Sequence, residues 1–374
     1  LQLLLPSAGL ERLEALDVSS NGLGANGAMF LASSPVARRL RHLDLKDNQI
    51  EDAGLAGLLG SPQLTGLSSL GVAQNSITPS GVGLLDGAGL QVDSLDLADN
   101  ELGDLGAARL ASAIPQMRIS NLNIRRAGIS GDDVAAIVKG GRKSITVLDV
   151  SHNDLGAEGL QSLARATELD SVSQLSLDGT WAGPLGMKAL VSSPFLVNLE
   201  KLSINSTAIG DHGVAELLTG TGLNSLQELR LQDNGIGAEG AAALAASPLA
   251  TRLKSLDLSF NRLGDPGAEA LARGPAWQQL QELKLRDNEI SFGGASAILA
   301  SPSLEMLQSI DISANPLRGQ LDVHSLADDK ITLMEESFAK FSSDGKRFAD
   351  HFYGELFTRY PGVKPLFAHT TMSR

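Results

Sequence analysis

The stretch from Asn234 to Gly240 reads NGIGAEG and contains the spacing Gly-x-Gly-x-x-Gly. It follows an apolar run around Leu229 and precedes an alanine-rich run that is typical of a helix. A glycine-rich turn between a strand and a helix is the context in which this spacing holds the pyrophosphate of a dinucleotide. The first question is therefore whether this segment binds a nucleotide.

The turn recurs along the chain, and this recurrence argues against nucleotide binding. The pattern apolar-x-x-apolar-x-apolar-x-x-Asn-x-apolar occurs twelve times, with its Asn position at 21, 48, 75, 100, 127, 153, 180, 207, 234, 261, 288 and 315. A Gly-x-x-Gly turn follows in many copies, as at Gly156 and Gly159. A dinucleotide site needs one such loop at one point of a sheet, so we interpret the turn as structural.

No other motif predicts catalysis or metal binding. The six histidines (His42, His152, His212, His324, His351 and His369) show no metal-ligand spacing, and the chain has no cysteine. We therefore expect no catalytic residue, no metal site and no cofactor in the repeats. The net charge of −13 argues against nucleic acid or an anionic membrane as partner. We expect a cytoplasmic protein with a basic or neutral protein partner.

The repeat itself predicts the fold. Side chains alternate along a strand, so Leu43 and Leu45 point inward and Asp44 points outward. Parallel strands stack about 4.8 Å apart whereas helices are about 10 Å wide. An array that joins one strand to one helix must therefore curve, with its strands on the concave side. The sequence predicts an α/β curved solenoid of about twelve repeats, with helices outside, over residues 1–318.

The pattern resembles leucine-rich repeats, closest to the ribonuclease-inhibitor-like kind. The repeated Asn is expected to form a ladder, because its amide offers donors and an acceptor to the backbone of adjacent coils. Thr180 and Thr207 can do part of this work, whereas Ala127 cannot. Repeat five is therefore predicted to hold the weak rung.

Outward strand positions form two columns on the predicted concave face, one containing Asp44 and the next containing Lys46. Repeat proteins bind extended partners on such surfaces; the alternative is a solvated polar face. The candidate partner-binding residues are Asp44, Asp96, Arg125, Asp149, Asp178, Arg230, Asp257, Lys284 and Arg286. Arg118, Arg125 and Arg126 suggest either an anion site or ordinary ion pairs with nearby aspartates.

The composition changes near residue 320. Residues 319–330 are a polar linker, and eight of the fourteen aromatic residues lie in 331–374. Apolar residues there follow a helical period, which predicts a short all-α segment that could cap the repeats.

The segment "HFYGELFTRYPGVKPLF" resembles the start of a bacterial globin or flavohaemoglobin. The resemblance implies that Tyr353 is the distal tyrosine over haem-bound oxygen and that Phe367 packs on the haem. The chain ends at Arg374, before the positions that would carry the proximal histidine. We therefore expect no haem in this fragment and suspect haem if the globin domain is complete.

Two functions follow from these observations. The first is a non-enzymatic scaffold that binds a protein partner on the concave face of the repeats. The alternative is a haem protein for oxygen binding or sensing, with the repeats as a regulatory arm. An enzyme with a reductase beyond the globin is a third option that this sequence does not show.

Overall fold

A computed structural model of the protein describes residues 12–274 and 277–317. The chain divides into two compact units, Leu1–Asn234 and Gly235–Arg374. The division falls inside the predicted repeat array, in the turn after the ninth strand. The predicted linker 319–330 and the predicted globin-like segment 331–374 lie outside the described residues.

In the first unit, short parallel strands pair in the order of the sequence. The register of neighbouring strands pairs equivalent positions of the repeat, so that Leu43 lies beside Leu70 and Leu148 beside Leu175. The strands are β1 Ala15–Asp17, β2 His42–Asp44, β3 Ser69–Gly71, β4 Ser94–Asp96, β5 Asn121–Asn123, β6 Val147–Asp149, β7 Gln174–Ser176, β8 Lys201–Ser203 and β9 Glu228–Arg230.

A helix follows each of the first eight strands. The helices of this unit are α1 Gly24–Ser33, α2 Glu51–Leu59, α3 Pro79–Gly83, α4 Gly103–Ala113, α5 Gly131–Gly140, α6 Gly156–Ala164, α7 Gly183–Val191 and α8 Gly210–Leu218. Four repeats add a short 3-10 helix before the next strand: Pro35–Arg39, Leu64–Gly66, Ile114–Gln116 and Thr167–Ser171.

The second unit contains the same alternation. Its helices are α9 Ala238–Ala246, α10 Gly264–Arg273 and α11 Phe292–Leu299, and its strands are β10 Ser255–Asp257, β11 Glu282–Lys284 and β12 Ser309–Asp311. The strands are parallel, with Leu256 beside Leu283 and Leu283 beside Ile310. Two 3-10 helices are Pro248–Thr251 and Pro302–Leu304. The twelve described strands and their helices form an α/β repeat fold, as predicted.

The core lies between the strands and the helices of each repeat. Leu43 and Leu45 are 2% and 0% exposed, and Leu55 of α2 is 0% exposed. Full burial of a leucine side chain stabilises a protein by about 1.5–3 kcal/mol. Repetition of this layer in every coil therefore supplies most of the hydrophobic stabilisation.

The two glycines of the Gly-x-x-Gly turn are required for different structural reasons. Gly156 adopts a φ of +56°, which glycine tolerates better than other residues. Gly159 lies where α6 approaches α5, and a Cβ there would lie 2.8 Å from the Cα of Gly131. The first glycine therefore starts the helix and the second permits helix packing, which confirms the structural interpretation of the turn.

The predicted ladder of asparagines is present. The Nδ2 group of Asn48 donates to the carbonyls of Val18 and Leu45, at 2.9 Å each. Its Oδ1 accepts the backbone N–H groups of Asn21 at 3.1 Å and Leu23 at 3.2 Å. One buried side chain thus bonds to the backbone of its own coil and of the preceding coil.

Three ladder positions carry a residue other than asparagine, and each makes only the hydrogen bonds that its side chain allows. The Oγ1 groups of Thr180 and Thr207 donate to the carbonyls of Leu177 at 2.7 Å and Ile204 at 2.8 Å. Ala127 has no such group. At this rung the N–H of Leu102 bonds to backbone carbonyls, those of Asn100 at 2.9 Å and Ala127 at 3.0 Å.

Candidate functional site

We define the strand face of each unit as the outward-pointing side chains of its strands and of the two residues that follow each strand. Arg230 and Arg286 are exposed on this face, and Asp257 is buried with 2% exposure. The other predicted contact residues are half-buried: Asp44, Asp96, Arg125, Asp149, Asp178 and Lys284.

The first column of aspartates has a structural role that the sequence analysis did not identify. Asp44 Oδ1 accepts the backbone N–H of Lys46 at 2.9 Å, and Asp96 Oδ1 accepts the N–H of Ala98 at 2.9 Å. The same bond links other members of the column two residues on: Asp17 to Ser19, Asp149 to Ser151, Asp257 to Ser259 and Asp311 to Ser313. These carboxylates therefore satisfy the backbone where each strand ends and are held in fixed positions.

Asp44 and Asp96 lie on either side of Gly71, on strands β2 and β4 that flank β3. We call Asp44, Gly71 and Asp96 the acidic notch. Burial raises the pKa of the Asp96 carboxyl, and the negative charge of Asp44 adds to that rise. The two carboxylates therefore repel each other across a residue that has no side chain.

Gly71 has little room for any other residue. A Cβ built there would lie 2.9 Å from Oδ1 of Asp44. The next outward positions carry the small residues Ala73 and Ala98, which are 2% and 4% exposed. The side chains that follow Gly71 and Asp96 on this face are thus small, whereas exposed Lys46 follows Asp44 and its charge partly offsets the rise in the pKa of Asp96.

Repeats four to six bring charged side chains together. Arg126 Nη1 forms an ion pair with Asp99 Oδ1 at 2.9 Å. Burial lowers the pKa of His152, and the charges of Arg125 and Arg126 lower it further. The structure thus shows an ion pair for Arg126, which is the ordinary one of the two predicted alternatives. Arg118 is exposed.

Asp178 is the centre of a polar network on β7 and β8. Its Oδ1 accepts Ser203 Oγ at 2.7 Å and the N–H of Asn205 at 2.8 Å. Asn205 Oδ1 in turn accepts the N–H of Gln232 at 2.8 Å. The network fixes the amide and carboxylate groups, so this part of the strand face is rigid.

A third outward column, two residues before the first, was not predicted. It contains Lys201, Glu228 and Glu282. Glu228 pairs with Lys201 at 3.4 Å and with Arg230 at 2.5 Å, and Glu282 pairs with Lys284 at 3.1 Å. The period of two along each strand was the available signal, because it places this column on the same face.

No group of residues in the described ranges resembles a metal site. Tyr353 and Phe367, the residues assigned to a haem pocket by resemblance, lie outside the described residues. Among helices in the part of the chain that the structure describes, none has the length and apolar character needed to cross a bilayer.

Seven segments match a family model described as "Leucine Rich repeat": residues 12–32, 38–59, 92–111, 143–164, 222–245, 251–272 and 278–299. The repeats are leucine-rich repeats. The match confirms the family that the spacing of leucine and asparagine indicated.

Solved structures share the leucine-rich repeat fold. The Rad7 and Elc1 complex of yeast contains a chain with 17% identity and a TM-score of 0.58, covering 83% of this chain and 78% of that one. The leucine-rich repeat-containing protein LegL7 of Legionella pneumophila has 17% identity and a TM-score of 0.51, covering 77% of this chain and 94% of that one. No curated protein sequence matches the chain.

Proposed function

We propose that the leucine-rich repeats are a non-enzymatic scaffold that binds a protein partner on the strand face. Leucine-rich repeat arrays commonly present such surfaces to extended partners. The yeast relative was solved as a complex of two proteins, which is consistent with this role.

The acidic notch is the observation that carries the proposal. Two carboxylates flank Gly71, and burial together with their mutual repulsion raises the pKa of Asp96. Adjacent strands are about 4.8 Å apart, so Asp44 and Asp96 lie on strands about 10 Å apart. A cationic group above Gly71 would be attracted by both.

The partner chemistry follows from that geometry. We infer that a lysine or arginine side chain of the partner extends over Gly71 and relieves the repulsion between the carboxylates. The net charge of −13 favours encounter with a basic surface. A carboxylate has about four lone-pair sites, so one bond to the backbone leaves Asp44 and Asp96 able to accept others.

Pre-organisation supports binding at the acidic notch. The bonds from Lys46 N–H and Ala98 N–H hold the carboxylates before any partner arrives. Less side-chain entropy is then lost on association. Other proposed contacts on the strand face are Arg125, Asp149, Asp178 and Arg230 in the first unit, and Lys284 and Arg286 in the second. Asp257 is left out because it is buried.

Site-specific photo-crosslinking tests the proposal. A photoreactive side chain replaces Lys46, which is exposed on the strand face beside the acidic notch. The matched control replaces Ser112, which is exposed on helix α4. We expect a discrete protein adduct from position 46 and none from position 112. Equal adducts from both, or an adduct from position 112 alone, would contradict the assignment of the strand face.

A second candidate function rests on the sequence of residues 331–374 alone. Its resemblance to the start of a bacterial globin favours haem and oxygen binding by a polypeptide that contains the whole globin domain. Haem titration of this chain and of the full-length gene product, followed in the Soret band, tests it. Stoichiometric binding by the full-length product would support this function, whereas no binding would reject it.

A further inference from the structure

Trp181 and Leu185 are 70% and 72% exposed, more than any other exposed large hydrophobic residue in the described ranges. They lie four residues apart, on either side of the turn that begins helix α7 at Gly183. Scattered exposed apolar residues are ordinary on protein surfaces. An exposed tryptophan together with an exposed leucine in one short segment requires a separate explanation.

The backbone of this segment is fixed. Thr180 is buried and its Oγ1 donates to the carbonyl of Leu177 at 2.7 Å, and the N–H of Gly183 donates to Thr207 O at 3.0 Å. Trp181 itself has a φ of +53°. A bulky residue is disfavoured in that region, and burial of the Trp181 ring does not offset the cost.

Small or polar residues occupy the position of Trp181 in the other repeats of the first unit where φ is also positive. They are Gly22, Gln49, Ser76, Gly128 and Ala208. The turn therefore does not require an aromatic ring. The large side chain in repeat seven is available for a contact outside the unit.

Carboxylates lie beside this apolar pair. Asp154 and Glu158 occupy the positions of Trp181 and Leu185 in the preceding repeat, and both are exposed. The two repeats are side by side, because β6 pairs with β7 in step and a Cβ on Gly186 would lie 3.5 Å from the Cα of Ala157. The apolar pair is thus flanked by negative charge on the side of repeat six.

We propose that Trp181, Leu185, Asp154 and Glu158 form a docking surface for a basic polypeptide segment of a protein partner. An apolar side chain of that segment packs on Trp181 and Leu185, and its neighbouring lysine or arginine residues pair with Asp154 and Glu158. Tryptophan is enriched among residues that dominate interface energies, and its ring also attracts cations. We call these four residues the loop-edge anchor.

Charge complementarity selects this occupant over others. An anionic membrane would be repelled by Asp154 and Glu158, and a second copy of a chain with net charge −13 would be repelled overall. The loop-edge anchor is separate from the acidic notch, which lies on strands β2 to β4. The inference therefore does not depend on the proposed role of the notch.

Fluorescence anisotropy with a defined probe tests the inference. The probe is a short labelled peptide with leucines at helical spacing among lysines, and its counterpart has glutamate in place of each lysine. We expect saturable binding of the lysine peptide only. Leu185→Ala and Trp181→Ala should each weaken binding by about tenfold, the scale of a dominant interface residue. The double variant D154N/E158Q should weaken it by several-fold.

Matched variants make the result specific. Leu105→Ala and Glu239→Gln change an exposed leucine and an exposed glutamate at the repeat position of Leu185 and Glu158, and both should leave binding unchanged. Circular dichroism should show that every variant stays folded. Equal binding of the glutamate peptide, or equal loss in Leu105→Ala, would overturn the inference.

Two further measurements separate this surface from its alternatives. If sedimentation showed that the wild-type chain is a dimer and that Trp181→Ala dissociates it, the occupant of this surface would be a second copy of the chain and the proposal would be overturned. Binding of the lysine peptide to D44N/D96N at wild-type strength is expected, since the two surfaces are separate. Loss of that binding would overturn the assignment to the loop-edge anchor and place the peptide at the acidic notch.

Discussion

The side-chain oxygen of Asn153 accepts the backbone N–H of Ala127 at 2.9 Å. Ala127 is fully buried and has no side chain with which to continue the ladder. The N–H of Leu102 in repeat four therefore bonds to backbone carbonyls instead, those of Asn100 in its own repeat and Ala127 in repeat five. The ladder is continuous on one side of this rung and replaced by backbone bonds on the other.

Restoring the rung should stabilise the first unit. In Ala127→Asn, the new amide can accept the N–H of Leu102 and donate to carbonyls of its own and the preceding coil. One net hydrogen bond contributes about 1 kcal/mol. Urea unfolding should show a higher midpoint than wild type. An unchanged or lower midpoint would mean that the backbone bonds already replace the rung.

Removing an intact rung should change the free energy of unfolding by more than restoring the rung at Ala127. Asn75 is fully buried, donates to the carbonyl of Leu45 at 2.8 Å and accepts the N–H groups of Asn48 and Ile50 at 3.0 and 3.2 Å. Asn75→Ala leaves these groups without their partner, and each unsatisfied group costs about 1–3 kcal/mol. We expect a loss of about 3 kcal/mol or more in the free energy of unfolding. A loss below about 1 kcal/mol would show that the ladder contributes little.

Gly159 should not tolerate a methyl group. In Gly159→Ala the new Cβ would lie 2.8 Å from the Cα of Gly131, a backbone atom that cannot rotate away. Overpacking of this kind costs about 1–3 kcal/mol. The control is Gly57→Ala, whose methyl meets the flexible side chain of Met29. The melting temperature should fall clearly in Gly159→Ala and change less in Gly57→Ala. An equal fall in both variants would argue against close packing of α5 and α6 at Gly159.

Asp96 should destabilise the folded protein at neutral pH. Burial raises the pKa of its carboxyl, so the folded state disfavours the charged form. The cost is complete above the raised pKa and disappears below the ordinary carboxyl pKa of about 3.9, where both states are protonated. Asp96→Asn keeps an oxygen acceptor for the N–H of Ala98 and removes the charge. It should therefore raise the melting temperature at neutral pH.

The pH dependence distinguishes this effect from a general gain in stability. The difference between Asp96→Asn and wild type should shrink as the pH falls through the raised pKa. Asp17 is the control of opposite sign, because hydrogen bonds from Ser19 lower the pKa of its carboxyl. Asp17→Asn should lose stability at neutral pH. A pH-independent gain for Asp96→Asn would contradict the cause assigned to it.

Much of the fold could be predicted because the repeat averages out local ambiguity. Twelve copies in phase identify the buried leucines and the asparagine ladder, including the partial role of Thr180 and Thr207. The left-handed backbone of the residue before each ladder position was not predicted. Asp47, Asp99 and Asp233 are three residues at this position, and all have positive φ. Aspartate tolerates that conformation better than most residues, so the recurring Asp-Asn pair was the available signal.

The strand face was harder to predict. The alternation of side chains along a strand shows which residues point outward, but it does not show how deeply each one is buried by its neighbours. Period two places Asp44 and Asp257 at the same position of the repeat, yet one is half-buried and the other is 2% exposed. Their shared bond to the backbone two residues on also depends on how each strand ends. Such differences arise from neighbouring coils, which the spacing within one repeat does not describe.

The affinity of the crosslinked partner for two neutralised variants tests the central proposal most directly. Calorimetry would compare wild type with D44N/D96N and with the control E101Q/D104N, whose exposed carboxylates lie in repeat four off the strand face. The proposal predicts that D44N/D96N weakens binding by about tenfold or more and that the control retains wild-type affinity. Wild-type affinity in D44N/D96N, or an equal loss in the control, would contradict binding at the acidic notch.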